Sequence, residues 1–329
     1  MRRREFIAGL GSAAAWPLAA RAQQGEKIRR IGMLNGFSES DPSVRYFTAE
    51  TFQALSRLGW ENGRNVQIIH HWTAGDLNRM AMLAKELVAL QPDVLVAYGT
   101  PASIALQRET RTIPIVFVIV TDPVGAGLVA SLSRPGGNIT GLSNVEGTFG
   151  GKLLSLLKTI APHIKRAAVM FNPETAPGRG LYHLGSFEAA ARSLAIEPIT
   201  AEVRSDADID QVITSLGREQ GGLVATPDVF TVVHRGTVIA SSIRNNVPVI
   251  FDSPSFAKEG GLLQYGWDGV EGWRRAAFYV DRILRGANPS DLPVELPTKY
   301  RLVINLKTAK AMGLDLPPDK ISIADEVIE

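Results

Sequence analysis

The run Val270–Leu284, VEGWRRAAFYVDRIL, decides how the rest of the chain is arranged. It has the length and periodicity of an amphipathic helix, and it follows a strand-and-helix series that is already complete. Pro289, Pro293 and Pro297 come next, then a β-type run Tyr300–Asn305 and a helical segment Thr308–Met312. A helix here that packs back on the beginning of the chain makes the backbone cross more than once between two halves. Several crossings of that kind form a hinge around a cleft.

Upstream, the pattern alternates. Ile28–Leu34 is β-type, Val44–Leu58 helical, Asn65–Trp72 β-type and Leu77–Leu90 helical. Asp93–Ala97 is a continuous apolar run, as in a strand buried on both faces of a parallel sheet. Gly99-Thr100-Pro101 opens the next helix, with Thr100 read as N-cap and Pro101 at the first helical position. Ile113–Val120 is the fourth strand. After the turn-rich Ser131–Gly141 the rhythm resumes with helix Gly151–Ile160, strand Arg166–Phe171, helix Leu181–Leu194 and strand Glu197–Val203. Helix Ile209–Leu216, strand Gly222–Ala225, helix Val229–Arg244 and strand Val247–Phe251 follow, then a short strand Gly260–Tyr265. The expected fold class is α/β, with two doubly wound parallel-sheet lobes joined by a multi-crossover hinge. Residues 27–143 with 268–287 make the N-terminal lobe, and residues 144–267 with 288–329 the C-terminal lobe.

The front of the chain is different in kind. Arg2, Arg3 and Arg4 precede a mildly apolar run Ala8–Ala20 and an Ala20-Arg21-Ala22 site. A basic start, a short apolar core and an A-x-A site make a secretory signal, cleaved before Gln23. The apolar run is too short to span a bilayer, so the protein is expected to be exported and not membrane-embedded. Arg3-Arg4-Glu5-Phe6-Ile7 resembles the twin-arginine export motif. Four of the 35 basic residues and one of the 33 acidic residues fall in these first 22 positions. The remainder is close to neutral, without the electrostatic footprint of a nucleic-acid or anionic-membrane binder. The chain has no cysteine, which excludes disulfides, thiolate nucleophiles, thiolate metal sites and a lipid anchor at the cleavage site. An exported protein without such an anchor is expected in a Gram-negative periplasm.

Enzyme constellations are missing from the sequence. It holds no G-x-S-x-G elbow, Walker loop or H-E-x-x-H. His70 and His71 adjoin on a β-type run, so they point to opposite faces and cannot chelate one metal. Neither a metal nor a cofactor is expected.

Several blocks resemble one family. They are GTPAS at Gly99–Ser103, IPIVF at Ile113–Phe117, DPVGAGL at Asp122–Leu128 and RPGGNITG at Arg134–Gly141, with LPVE at Leu292–Glu295, INLKTAK at Ile304–Lys310 and ADEVI at Ala324–Ile328. Their order and extent are similar to the ABC transporter substrate-binding family of the tryptophan-binding-protein type. That resemblance implies the periplasmic binding protein type I fold, no catalysis, and a membrane permease with its ATPase as partners. The expected function is delivery of a small ligand to an ABC importer by hinge closure, the protein acting as a monomer. The ligand would be an amino acid, of aromatic type in known relatives, or a related small organic acid. Alternatives are an exported sensor for a membrane receptor and a periplasmic α/β hydrolase.

Ligands of open parallel sheets bind outside the carboxyl ends of the strands. In the first half those ends offer Asn35, Phe37, Gly99, Thr100, Pro101, Thr121 and Asp122. In the second they offer Asn172, Asp228, Phe230 and Asp252, and Asn144 and Tyr265 lie at the crossovers. Backbone N–H groups at the start of the Thr100 helix suit a carboxylate. Asp228 and Asp252 suit an ammonium, or else a helix cap after Pro227 and a turn before Pro254. Asp122 suits a turn before Pro123. Phe37, Phe230, Tyr265 and Trp267 supply apolar or stacking surface.

Overall fold

The computed structural model describes residues 28–253, 255–267 and 269–329. The expected signal segment, with its paired arginines and cleavage before Gln23, lies outside the described residues.

The first half runs β1 Arg29–Asn35, α1 Pro42–Arg57, β2 Val66–Trp72, α2 Leu77–Ala89, β3 Val94–Tyr98, α3 Thr100–Glu109, β4 Ile115–Val120 and β5 Ile139–Ser143. The second runs α4 Phe149–Ile160, β6 Arg166–Phe171, α5 Leu181–Ser193, β7 Glu197–Glu202, α6 Asp206–Arg218, β8 Gly222–Ala225, α7 Val229–Val233, α8 Arg235–Asn245, β9 Val249–Phe251 and β10 Leu263–Trp267. Then come α9 Gly269–Leu284, β11 Tyr300–Asn305, α10 Leu306–Ala311, α11 Pro318–Ile321 and β12 Glu326–Ile328. Among the described residues the strands form two sheets, ordered β2-β1-β3-β4-β5 and β12-β11-β10-β9-β8-β6-β7. Both are doubly wound, as the alternation required.

Local chemistry fixes the helix starts. Asp41 caps α1, its carboxylate accepting from the Ser43 and Val44 amides with Pro42 in the first turn, and Asp76 caps α2 in the same way. Both satisfy amides that an α-helix leaves without internal partners. Every residue of β3 is buried, the mark of a central parallel strand covered on both faces.

The decisive helix α9 packs on the first sheet although it follows the second in sequence. Its Trp273, Ala276, Ala277, Val280 and Ile283 join a core with Val96, Tyr98 and Val118. Trp273 is stacked on Tyr98 at 4.1 Å between ring centroids. Polar contacts fix its register against α1: Thr51 Oγ1 donates to the Trp273 carbonyl (3.1 Å) and Trp60 Nε1 to Asp281 Oδ1 (2.8 Å). From α9 the chain goes back to the second sheet as β11. The expected lobe boundary falls at 287/288, and the segment just beyond it still runs along the first sheet. Leu292 and Val294 are still buried with first-sheet side chains, and Glu295 bridges Leu142 of β5.

Two further departures have local causes. β10 and β11 pair antiparallel, because β11 arrives from the far side of the hinge rather than through a right-handed helical crossover. The single helix expected over Val229–Arg244 is two, α7 and α8, meeting at His234. Among the described residues no helix is long and apolar enough to cross a membrane.

Trp273→Ala removes the largest fully buried side chain of this core. It should cost about 3–5 kcal/mol of unfolding free energy, read as a lower urea midpoint. A second expectation concerns acid. His183 is buried with both ring nitrogens lacking a hydrogen-bond partner, and burial pushes its pKa down to about 4. The unfolded chain takes up this proton near pH 6.5, whereas the fold does not until about pH 4, so stability is lost as pH falls through that window. His183→Leu should therefore lose up to about 3 kcal/mol less than the parent between pH 6.5 and 4 in paired denaturation curves.

Candidate functional site

The carboxyl ends of β1, β3, β4, β6, β8 and β9 open towards one another, and a cavity lies between the two sheets. Phe37, Phe47, Ile119, Val229, Trp267 and Trp273 give it apolar walls. Its polar lining includes Asp41, Thr100, Thr121, Asn144, Thr175, Asp228, Arg235, Asp252, Ser253 and Ser255. Of the residues expected at the site, Phe37, Gly99, Thr100, Pro101, Thr121, Asn144, Asp228 and Asp252 line this cavity.

On the first side, Gly99 turns the chain from β3 into α3. Its φ is 92°, a conformation glycine adopts without the Cβ penalty. Thr100 is not the N-cap that the sequence suggested. Gly99 occupies that position without a side-chain bond, and Thr100 is the first helical residue. Its hydroxyl is instead an acceptor for the Thr121 amide (3.3 Å), while Thr121 Oγ1 donates to Asn144 Oδ1 (2.8 Å). This chain of contacts welds the start of α3 to the ends of β4 and β5. Ile119 has φ 59° where the β4–β5 register shifts. A β-branched residue there is a local strain of about 1–3 kcal/mol, held where the strand end meets the cavity.

On the second side, Asp228 is a cap. Its carboxylate accepts from the Thr231 amide (2.9 Å), the Asn172 amide (3.2 Å) and Thr175 Oγ1 (3.0 Å). Burial pushes its pKa up to about 6 against the pull of those bonds. Asp252 follows β9 and differs: it is buried, and its Oδ1 has no hydrogen-bond partner. Burial raises its pKa well above the usual carboxylate range.

Five expected residues stand off the cavity wall. Asn35 folds its Oδ1 onto the Phe37 amide (3.0 Å) and so places Phe37 rather than lining the wall. Asp122 closes a turn on the Gly125 amide (2.8 Å), the alternative its Asp-Pro context offered. Asn172 accepts from the Glu174 amide (2.8 Å), shaping the loop that brings Thr175 and Pro177 to the cavity. Phe230 packs on His234. Tyr265 stacks between Phe149 and Tyr300, and Trp267, nearer the carboxyl end of β10, lines the wall in its place.

Two contacts crossing the cleft were missed in the sequence. Val229 at the start of α7 presses on the first half: a Cβ built on Gly99 would come within 2.8 Å of Val229 Cγ2, and one on Gly36 within 3.3 Å. Arg235 reaches from α8 to Asp41 of the first half, Nη1 to Oδ2 at 2.5 Å. It grips Glu259 of its own half bidentately, at 2.8 Å through both Nε and Nη2. The Asp41-Pro42 pair carried a readable cap signal. Nothing in the periodicity around Arg235 distinguished it from a solvated helix face.

Asp41→Asn separates the two tasks of Asp41. Asparagine caps a helix as well as aspartate, so α1 should stay intact while the ionic contact to Arg235 is lost. The closed arrangement should weaken by about 1–3 kcal/mol, seen as a larger radius of gyration in small-angle scattering with unchanged far-UV dichroism.

Comparison with known proteins bears on this geometry. The chain matches the family profile described as ABC transporter substrate binding protein over residues 40–328. It is 28% identical over 273 residues to a tyrosine-binding protein of Clostridioides difficile (strain R20291), covering 83% of this chain and 78% of that one. Among solved structures, an ABC domain in complex with L-Trp from Streptococcus pneumonia superimposes with a TM-score of 0.83. It is 26% identical and the match covers 91% of this chain and 99% of that one. A conserved domain protein from Vibrio cholerae gives a TM-score of 0.84 at 27% identity, over 92% and 100% of the two chains.

Proposed function

We propose that this chain, which belongs to the ABC transporter substrate binding protein family, takes an amino acid or a related small organic acid into the cavity between its lobes and delivers it to a membrane importer without turnover. The observation that carries the reading is the cavity itself. It lies where the strand ends of two facing sheets meet, and Val229 and Arg235 hold the two halves together around it.

The chemistry of the walls supports the ligand class. Phe37, Phe47, Trp267 and Trp273 offer flat apolar faces on which an aromatic side chain stacks. Gly99, Thr100 and Pro101 at the start of α3 are part of the wall, so the positive end of that helix lies beside the cavity, an arrangement suited to a carboxylate. A tyrosine-binding protein and a protein complexed with L-Trp among the similar chains point to the same class. The leader fits export of the folded protein by the twin-arginine route, cleavage before Gln23, and a periplasmic working place as a monomer.

The test uses the chain from Gln23 onward, freed of carried-over ligand by unfolding and refolding, in a thermal-shift panel of amino acids, aromatic acids, sugars and nucleosides. A true ligand at about 100 times its Kd adds roughly 2.7 kcal/mol, a shift of several degrees. Thr100→Val should weaken a carboxylate-bearing hit. Hits confined to sugars or nucleosides would overturn the ligand class, and conversion of a hit to product would overturn the binding-only reading.

A further inference from the structure

We infer that the hinge carries a second cavity that works in opposition to the ligand cavity, so that a group filling it holds the cleft closed and raises affinity without touching the ligand. The inference rests on the reading of the protein as a binder that opens and closes around its cleft, and adds the element that sets the balance between the two forms.

The chain passes between the halves after β5, between β10 and α9, and from Glu295 to β11. All of these crossings border one further cavity. Ser143 at the end of β5, Trp267 at the end of β10, Gly272 and Arg275 of α9, and Leu296 and Thr298 of the last crossing line it. Two features place it across a common wall from the ligand cavity. Ser143 lines the hinge cavity whereas the next residue, Asn144, lines the ligand cavity, so the first crossing runs between the two. Trp267 borders both. Its ring is bedded on α9, where a Cβ at Gly272 would stand 1.8 Å from Trp267 Cζ3. The indole of the second sheet thus rests against helix backbone of the first half.

One rim of the hinge cavity is fixed. The Glu295 amide donates to the Gly141 carbonyl (3.0 Å) and the Ser143 amide to the Glu295 carbonyl (2.9 Å). The Glu295 carboxylate is held bidentately by Arg275, at 2.8 Å from Nε and 2.6 Å from Nη2. Beyond Glu295, among the described residues, no hydrogen bond fastens Leu296–Lys299 to either half. Bending of the last crossing is therefore confined to the segment that forms the other rim.

The sign of the coupling follows from this placement. The cleft is shut, with Val229 seated on Gly99 and Gly36 and Arg235 on Asp41, and the hinge cavity stands open. Halves that turn about strands running between two cavities narrow one as they widen the other. Opening the cleft takes up the hinge cavity, and overpacking of atoms there is costly. A side chain or small molecule in the hinge cavity fits the closed form better than the open one, which shifts the population towards closure. Ligand affinity rises by the same linkage.

The test places a large side chain in the cavity by Thr298→Trp from the last crossing or by Glu271→Trp from α9, both lining positions. Thr298→Val is the control, too small to fill it. The radius of gyration without ligand is measured by small-angle scattering in the parent, in Asp41→Asn, and in Asp41→Asn carrying each of the three changes. Release of L-tryptophan is followed by stopped flow in the parent and in the three single variants. Either tryptophan is expected to return Asp41→Asn to the parent radius and to slow release roughly 10-fold, while Thr298→Val does neither. A radius unchanged by both tryptophans, release as fast as in the parent, or the same effects from Thr298→Val overturns the inference. Far-UV dichroism checks folding, and the second tryptophan position keeps the test decisive if the first variant does not fold. If no form binds L-tryptophan, it is the amino-acid reading that fails, and the radii alone decide for or against the opposed cavities.

Discussion

The contact of Val229 with Gly99 and Gly36 is the constraint on which the rest of the site depends. A branched side chain from the second half meets first-half backbone that carries no side chains, so the two sets of strand ends approach closely enough to enclose a cavity. Gly99 serves twice here, since its positive φ also turns β3 into α3 and leaves the start of that helix facing the cavity. Beside this apolar seat the Asp41–Arg235 ion pair adds a directional contact. Because Arg235 is anchored by Glu259 in its own half, it reaches across pre-oriented, and little side-chain entropy is lost when the halves meet.

The hinge follows from where α9 is placed. Its amphipathic face finds the first sheet, burying Trp273 against Tyr98, and the chain then returns along β5 through Glu295 before joining the second sheet. The antiparallel β10–β11 pair records that return. Such a path leaves each sheet with its own core clusters, joined at the cleft by Val229 and Trp267, so relative motion of the halves disturbs chiefly these cleft contacts. What changes on opening is the cleft: the Val229 seat, the ion pair and the cavity between them.

Electrostatics in the cavity is governed by which buried charges have partners. Asp228 and Asp252 are alike in type, burial and place at a strand end, yet one is satisfied by three donors and the other leaves an oxygen bare. In a medium of low polarity the first costs little and the second costs much. The same accounting makes Arg235 first of all a link between the halves, since four of its five N–H donors are engaged by two carboxylates and a carbonyl.

Much of this was legible in the sequence because it depends on local rules. Period-2 and period-3.6 patterns, the apolar run of β3, the Asp-Pro cap of α1 and the late amphipathic run Val270–Leu284 are properties of neighbouring residues, and they fixed the two-sheet alternation and the multiple crossing. Strand ends are equally local, which is why Phe37, Gly99, Thr100, Thr121, Asn144 and Asp252 were foreseen near the cavity they line. What only the tertiary structure decided is which side chain faces which across a distance in sequence. Arg235 meets Asp41 across 194 positions, and Gly99 receives Val229 from the other half. Thr100 bonds to the next strand rather than capping its own helix, and Asp228 and Asp252 part company only once their neighbours in space are in place. Hydrogen-bond satisfaction and burial are properties of assembled surroundings, and no local pattern encodes them.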